Sequence, residues 1–190
     1  MRGTTSEWDI ACKRLVIVGL QGSGKTCLAR SFLLSEPASL VYDVLDEYQG
    51  VNRYIATGRQ YEPAALNELN ELVRRVVIGS GKVRLFVLDE ANRFCPNRRP
   101  LPDSISELND FQRHYGIAFA VVARRPVQLN TDLVELAHYL FVFRLGGKND
   151  LLYLDSLTAG LADAVAGLSR YQFVVVDPQR RFKVHEPIKL

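Results

Sequence analysis

The stretch Gly19-Leu20-Gln21-Gly22-Ser23-Gly24-Lys25-Thr26 sits between an apolar run, Leu15-Val16-Ile17-Val18, and a helix-forming segment, Cys27-Leu28-Ala29-Arg30-Ser31-Phe32-Leu33-Leu34. Strand, glycine-rich turn and helix in that order, with G-x-x-x-x-G-K-[ST] spacing, form the signature of a phosphate-binding P-loop. The glycines let successive backbone N–H groups turn inward around phosphate oxygens, and the helix aims its positive dipole end at them. Gln21, Gly22, Ser23, Gly24, Lys25, Thr26 and Cys27 are therefore the expected cradle. Lys25 supplies a mobile cation to the β- and γ-phosphates, and the Thr26 hydroxyl can ligate Mg²⁺. The spacing implies binding of a nucleoside triphosphate.

A P-loop holds phosphates but does not by itself hydrolyse them. Its complement is an acidic pair at the end of a buried strand, and Val83-Arg84-Leu85-Phe86-Val87-Leu88-Asp89-Glu90 meets that description. Asp89 is expected to hold Mg²⁺, and Glu90 to polarise the attacking water as general base. The tandem acid discriminates among classes. A small kinase needs no water-activating Glu, because a substrate hydroxyl is its acceptor. A GTPase needs an N-K-x-D segment, and Lys148-Asn149-Asp150 has those letters in the wrong order. An ATP-hydrolysing motor or switch is favoured, with ATP and Mg²⁺ as the expected cofactors.

The rest of the chain is read outward from these two segments as one domain over 1–190, with residues 1–12 a loose arm. Ser39–Val44 reads as a strand, 48–61 as an irregular connection, and Pro63 opens a helix with apolar residues at 65, 66, 69, 72, 73, 76 and 77. A basic, proline-bounded loop over 91–101 leads to a helix from Pro102 to Tyr115, with Ser104 and Glu107 as a capping box. Strands are expected at 117–123 and 139–143 and short helices near 132–137, 149–157 and 161–168. A hairpin over 171–176 and 182–185 turns at Asp177-Pro178-Gln179. Near-continuous apolar strands alternating with helices indicate an α/β fold: a three-layer arrangement of a mostly parallel sheet with helices on both faces.

Composition narrows the class. No apolar run approaches bilayer-spanning length and Met1–Asp9 is polar, so neither a signal peptide nor a transmembrane segment is expected. Cys12, Cys27 and Cys95 lack metal-type spacing and read as free thiols. A net charge of +3 rules out a global polyelectrolyte, yet eighteen of the 24 basic residues are Arg. That bias suits bidentate phosphate and carboxylate contacts, or equally reflects genome base content.

Three further segments carry a resemblance. Asp89-Glu90-Ala91-Asn92-Arg93-Phe94, then Phe111-Gln112-Arg113-His114-Tyr115-Gly116, then Ala123-Arg124-Arg125-Pro126 resemble motifs of the FtsK–HerA superfamily. Chain size and the tail Phe182–Ile188 make it similar, within that superfamily, to the genome-packaging ATPases of membrane-containing icosahedral viruses, over about residues 14–188. The resemblance implies a RecA-like P-loop NTPase core acting as a homo-oligomeric ring that translocates double-stranded DNA. It implies capsid or internal-membrane proteins as further partners, and a place in the host cytoplasm or at the virion's packaging vertex. Arg113 matches the family's trans-acting arginine finger, against a plain helix-end charge as the alternative. Arg124 stands where the family carries a γ-phosphate-sensing Gln, a departure that puts that role in doubt; Arg125 shares the segment. Arg98 and Arg99 are candidates for lining a pore against DNA phosphates, or for a solvated turn. Asp43 and Glu47 are left open between orienting water and facing solvent, and the three His residues read as structural. Two rival functions remain: a small P-loop phosphotransferase, and an assembly or secretion ATPase like the zonula-occludens-toxin-like phage proteins.

Overall fold

The computed structural model describes residues 8–188. Eight strands form one sheet: β1 (Arg14–Val18), β2 (Ser39–Asp43), β3 (Arg53–Ile55), β4 (Leu85–Leu88), β5 (Ala118–Ala123), β6 (Tyr139–Phe143), β7 (Phe173–Val176) and β8 (Phe182–His185). Their spatial order is β3-β2-β4-β5-β1-β6-β7-β8. All pairs from β3 to β6 are parallel, and β7 and β8 add an antiparallel hairpin at one edge. The helices are α1 (Lys25–Ser35), α2 (Pro63–Leu72), α3 (Asp103–Tyr115), α4 (Thr131–Glu135), α5 (Lys148–Leu157) and α6 (Leu161–Ala166).

Strand alternation divides the core in two. In β1, Leu15 and Ile17 face α1, while Val16 and Val18 face the layer built by α2 to α6. Burial on both faces explains why β1, β4, β5 and β6 read as unbroken apolar runs. The two layers are unequal, because among the described residues α1 is the one helix on its side. Trp8 completes the cover, packing edge-on to Phe141 at 5.3 Å and meeting Phe32, Phe173 and His185. The loose arm expected over 1–12 is thus corrected from Trp8 onward; residues 1–7 lie outside the described residues.

Other departures have local causes. Residues 48–61 hold a strand, β3, parallel to β2 with Tyr42 beside Tyr54. Its register is tied by the Val41 N–H to the Asn52 carbonyl and the Ala56 N–H to the Asp43 carbonyl. The helix opened by Pro63 widens into a π turn over Val73–Ile78, closed by Gly79 N–H on the Arg74 carbonyl at 2.9 Å. Each i→i+5 bond puts more than 3.6 residues into the turn, so the side chains fall behind the α-helical period. Val77 stays buried, and Val76 is turned out to solvent. The capping box at Ser104 does not form. Ser104 is buried, and its N–H is taken instead by the side-chain oxygen of Asn70 at 3.0 Å. Gly116 ends α3 in the left-handed conformation, as its position suggested.

Candidate active site

In parallel strands, every C-terminus falls on one edge. The registers Val18↔Ala123, Leu88↔Val121 and Tyr42↔Leu88 bring the ends of β1, β5, β4 and β2 into one row. Since β5 lies between β1 and β4, its next residue, Arg124, stands between the P-loop and the acid pair. A cavity of about 280 Å³ opens there, lined by Lys25, Thr26, Glu47, Asp89, Glu90 and Arg124 among others.

The P-loop geometry follows from two glycines. Gly19 has φ 155, and a Cβ on it would lie 2.5 Å from the Phe143 Cβ. Gly24 has φ 112 at the N-cap of α1, where no side chain caps the helix. The first-turn N–H groups of α1 are left facing outward, as an anion site needs. The Lys25 ammonium donates to the Leu20 carbonyl at 2.9 Å. Burial pulls its pKa down, against the opposing pull of Glu90 and Asp89. Ser23 sets a buried hydroxyl inside the loop, whereas Cys27 is exposed on α1.

The acids differ in environment. Asp89 is almost fully buried, and burial, with the Glu90 charge beside it, pushes its carboxyl up to about 7. The Tyr48 hydroxyl donates to Asp89 Oδ1 at 3.3 Å. Glu90 has φ 47, a left-handed backbone that a non-glycine residue adopts at a cost of about 1–3 kcal/mol. That turn aims its carboxylate at two cations: Arg124 Nε at 3.1 Å and Arg93 Nε at 3.2 Å.

Thr26 Oγ1, the Asp89 carboxylate and Glu47, whose Oε2 is 3.5 Å from Thr26 Oγ1, are hard oxygen donors. They suit Mg²⁺, which prefers one or two carboxylates together with substrate phosphates over an all-protein cage. No cluster of three or more His, Cys, Asp or Glu is formed among the described residues.

The remaining candidates are dispersed. Arg113 is exposed at the C-terminal end of α3, just before β5 begins, and so stands at the sheet edge opposite the P-loop. Arg125 pairs with the buried Asp150 at 2.8 Å and holds α5 to the end of β5. Arg98 and Arg99 are exposed, with Arg99 5.8 Å from the centroid of the Tyr61 ring. Asp43, left open above, organises the site from behind. It is fully buried and accepts from the N–H groups of Glu47 and Tyr48 and from Arg53. His138 accepts from the Arg14 N–H, a structural role. Tyr48 and Arg93 were not foreseen. Arg93 had a visible signal, three residues after Glu90 in the same turn; Tyr48 had none, because its partner is 41 positions away.

Sheet, P-loop and acid pair define a P-loop NTPase fold. The narrower likeness comes from comparison with known proteins. The genome packaging NTPase B204 of Sulfolobus turreted icosahedral virus 2, solved with ATPγS, superposes with a TM-score of 0.80 at 21% identity, covering 93% of this chain and 98% of that one. The N-terminal domain of zonular occludens toxin from Neisseria meningitidis superposes at 0.56 with 13% identity, covering 93% and 95%. An uncharacterized protein of Frog virus 3, 015R, is 23% identical over 166 residues; the match takes in 83% of this chain, which spans about half (51%) of that relative. No protein-family model matches the chain. No helix among the described residues is long and apolar enough to cross a membrane.

Proposed function

We propose that the protein is an ATP-hydrolysing motor that translocates double-stranded DNA, most specifically to package a viral genome. The observation that carries the hydrolytic part is the meeting of Lys25, Asp89, Glu90 and Arg124 around one cavity at the P-loop. The packaging part is supported by the likeness to B204 over nearly the full length of both chains.

In this reading the P-loop N–H groups and Lys25 bind the triphosphate, and Thr26 and Asp89 hold Mg²⁺, which would neutralise charge on the β- and γ-phosphates. Glu90 takes the proton of the attacking water. Its two arginine partners must first be drawn off, and the γ-phosphate is a competing anion for Arg124. Arg113 stands at the sheet edge opposite its own P-loop, so in the ring reading it would serve the site of a neighbouring subunit. Arg98 and Arg99 are accessible for sequence-independent contact with DNA phosphates. Capsid or internal-membrane proteins as partners, and a place in the host cytoplasm or at the packaging vertex, belong to the same proposal.

A second reading, an assembly or secretion ATPase, is favoured by the likeness to the zonular occludens toxin domain, which is weaker. The test is ATP turnover with and without double-stranded DNA, for wild type and Glu90→Gln. A motor gives DNA-stimulated turnover, and a Glu90→Gln variant that binds ATP but turns it over at least about 100-fold more slowly. Turnover indifferent to DNA favours the second reading. Phosphate transfer to a small acceptor, with Glu90→Gln nearly as active, indicates a phosphotransferase.

A further inference from the structure

Apart from Lys25 and Thr26 on α1, the groups that would meet the γ-phosphate lie on one side of β1. Asp89, Glu90 and Arg124 follow β4 and β5, so a triphosphate anchored there sends its nucleoside toward the other side, where β6 ends and β7 begins. Phe143 pairs with Phe173 at that point, and Tyr171 precedes it by two residues. The Tyr171 ring leans over the P-loop: its Cδ1 would be 3.6 Å from a Cβ on Gly24, next to Phe143 Cε1 at 3.1 Å.

Nothing in the packing accounts for Tyr171. It belongs to neither core cluster, keeps 41% of its surface exposed, and holds a left-handed backbone with φ 65. A bulky residue at positive φ is strained, and such strain gathers at ligand clamps. The Arg170 guanidinium stands 4.7 Å from the ring centroid, a cation–π contact that steadies the ring while leaving surface open.

We infer that Tyr171, braced by Arg170, is the platform on which the nucleotide base stacks, so that the site takes purine nucleoside triphosphates with little preference between adenine and guanine. This rests on the nucleotide-hydrolysing reading above. Stacking uses the π-face that every base has, and its strength follows the ring area, so purines bind better than pyrimidines.

The test measures dissociation constants for ATP, GTP, CTP and inorganic tripolyphosphate, all with Mg²⁺, by calorimetry. Wild type is compared with Tyr171→Asn, Tyr171→Phe and Lys25→Ala. Asn tolerates the left-handed backbone, so Tyr171→Asn removes the ring and leaves the turn. Tyr171→Asn is expected to weaken ATP and GTP by about tenfold, with tripolyphosphate unchanged and Tyr171→Phe like wild type. Unchanged ATP affinity in Tyr171→Asn, or tripolyphosphate weakened as much as ATP, overturns the platform. Lys25→Ala binding ATP and tripolyphosphate as wild type does overturns the nucleotide-site reading, and the platform with it.

Discussion

The Nε atom of Arg124 lies 3.1 Å from Oε1 of Glu90, so the residue after β5 and the acid after β4 form an ion pair across one end of the cavity. One arginine thus stands within reach of both the candidate base and the space a γ-phosphate would enter. Arg124→Ala is expected to lower kcat at least tenfold while ATP affinity stays within about threefold, because its charge matters most where negative charge develops. Arg124→Gln, which keeps a donor, should retain more activity than Arg124→Ala. Steady-state turnover with nucleotide titration separates the two effects.

Asp43 is expected to govern stability and site geometry together. Its carboxylate takes two backbone N–H groups and Arg53 in a fully buried setting, and the turn so formed presents Tyr48 to Asp89. Asp43→Ala leaves those donors unpaired and should cost about 2–4 kcal/mol, read from the midpoint of urea denaturation.

Glu68 offers a pH dependence. Partial burial acts to raise its pKa, but hydrogen bonds from Thr57, Gly58 and Tyr54 outweigh it and hold the carboxyl below its ordinary 4.5. A depressed folded pKa contributes stability above the unfolded value and loses it as pH falls through the folded one. Glu68→Gln should therefore be less stable than wild type at neutral pH, a difference that shrinks as pH falls through the lowered folded pKa. Thermal melts across pH 3–7 would show it.

Gly19→Ala is expected to abolish nucleotide binding and lower the melting temperature. Its Cβ would meet the Phe143 Cβ at 2.5 Å, so the P-loop or the end of β6 must shift. Fluorescent-nucleotide binding and a melt of the same sample check both halves.

What the sequence disclosed and what it hid divide by range. The P-loop and Asp89-Glu90 are legible because phosphate and water chemistry force those residues to be contiguous. Apolar runs disclosed β1, β4, β5 and β6 because both their faces are buried. β3 was hidden, since Arg53-Tyr54-Ile55 is short, polar at one end and held by the ladder to β2. The capping box at Ser104 fails because the acceptor for its N–H, the Asn70 side-chain oxygen, arrives from another helix 34 positions away. Trp8 gave no periodic signal, as its partners are spread from Phe32 to His185. The widened turn at Val73–Ile78 had no local marker at all.

The contact of Trp8 with His185, ring centroids 5.3 Å apart, has a topological consequence. Trp8 and Ile188 pack against the same core cluster, so the first and last described residues converge on one patch. The path from Trp8 to Ile188 is close to a closed loop. A circular permutant that joins Ile188 to Trp8 with a short flexible linker and reopens the backbone at the exposed Arg98–Pro100 turn should keep the sheet intact. It would open the loop that follows β4 on the same sheet edge as the P-loop, and would place new ends beside the arginines proposed to meet DNA.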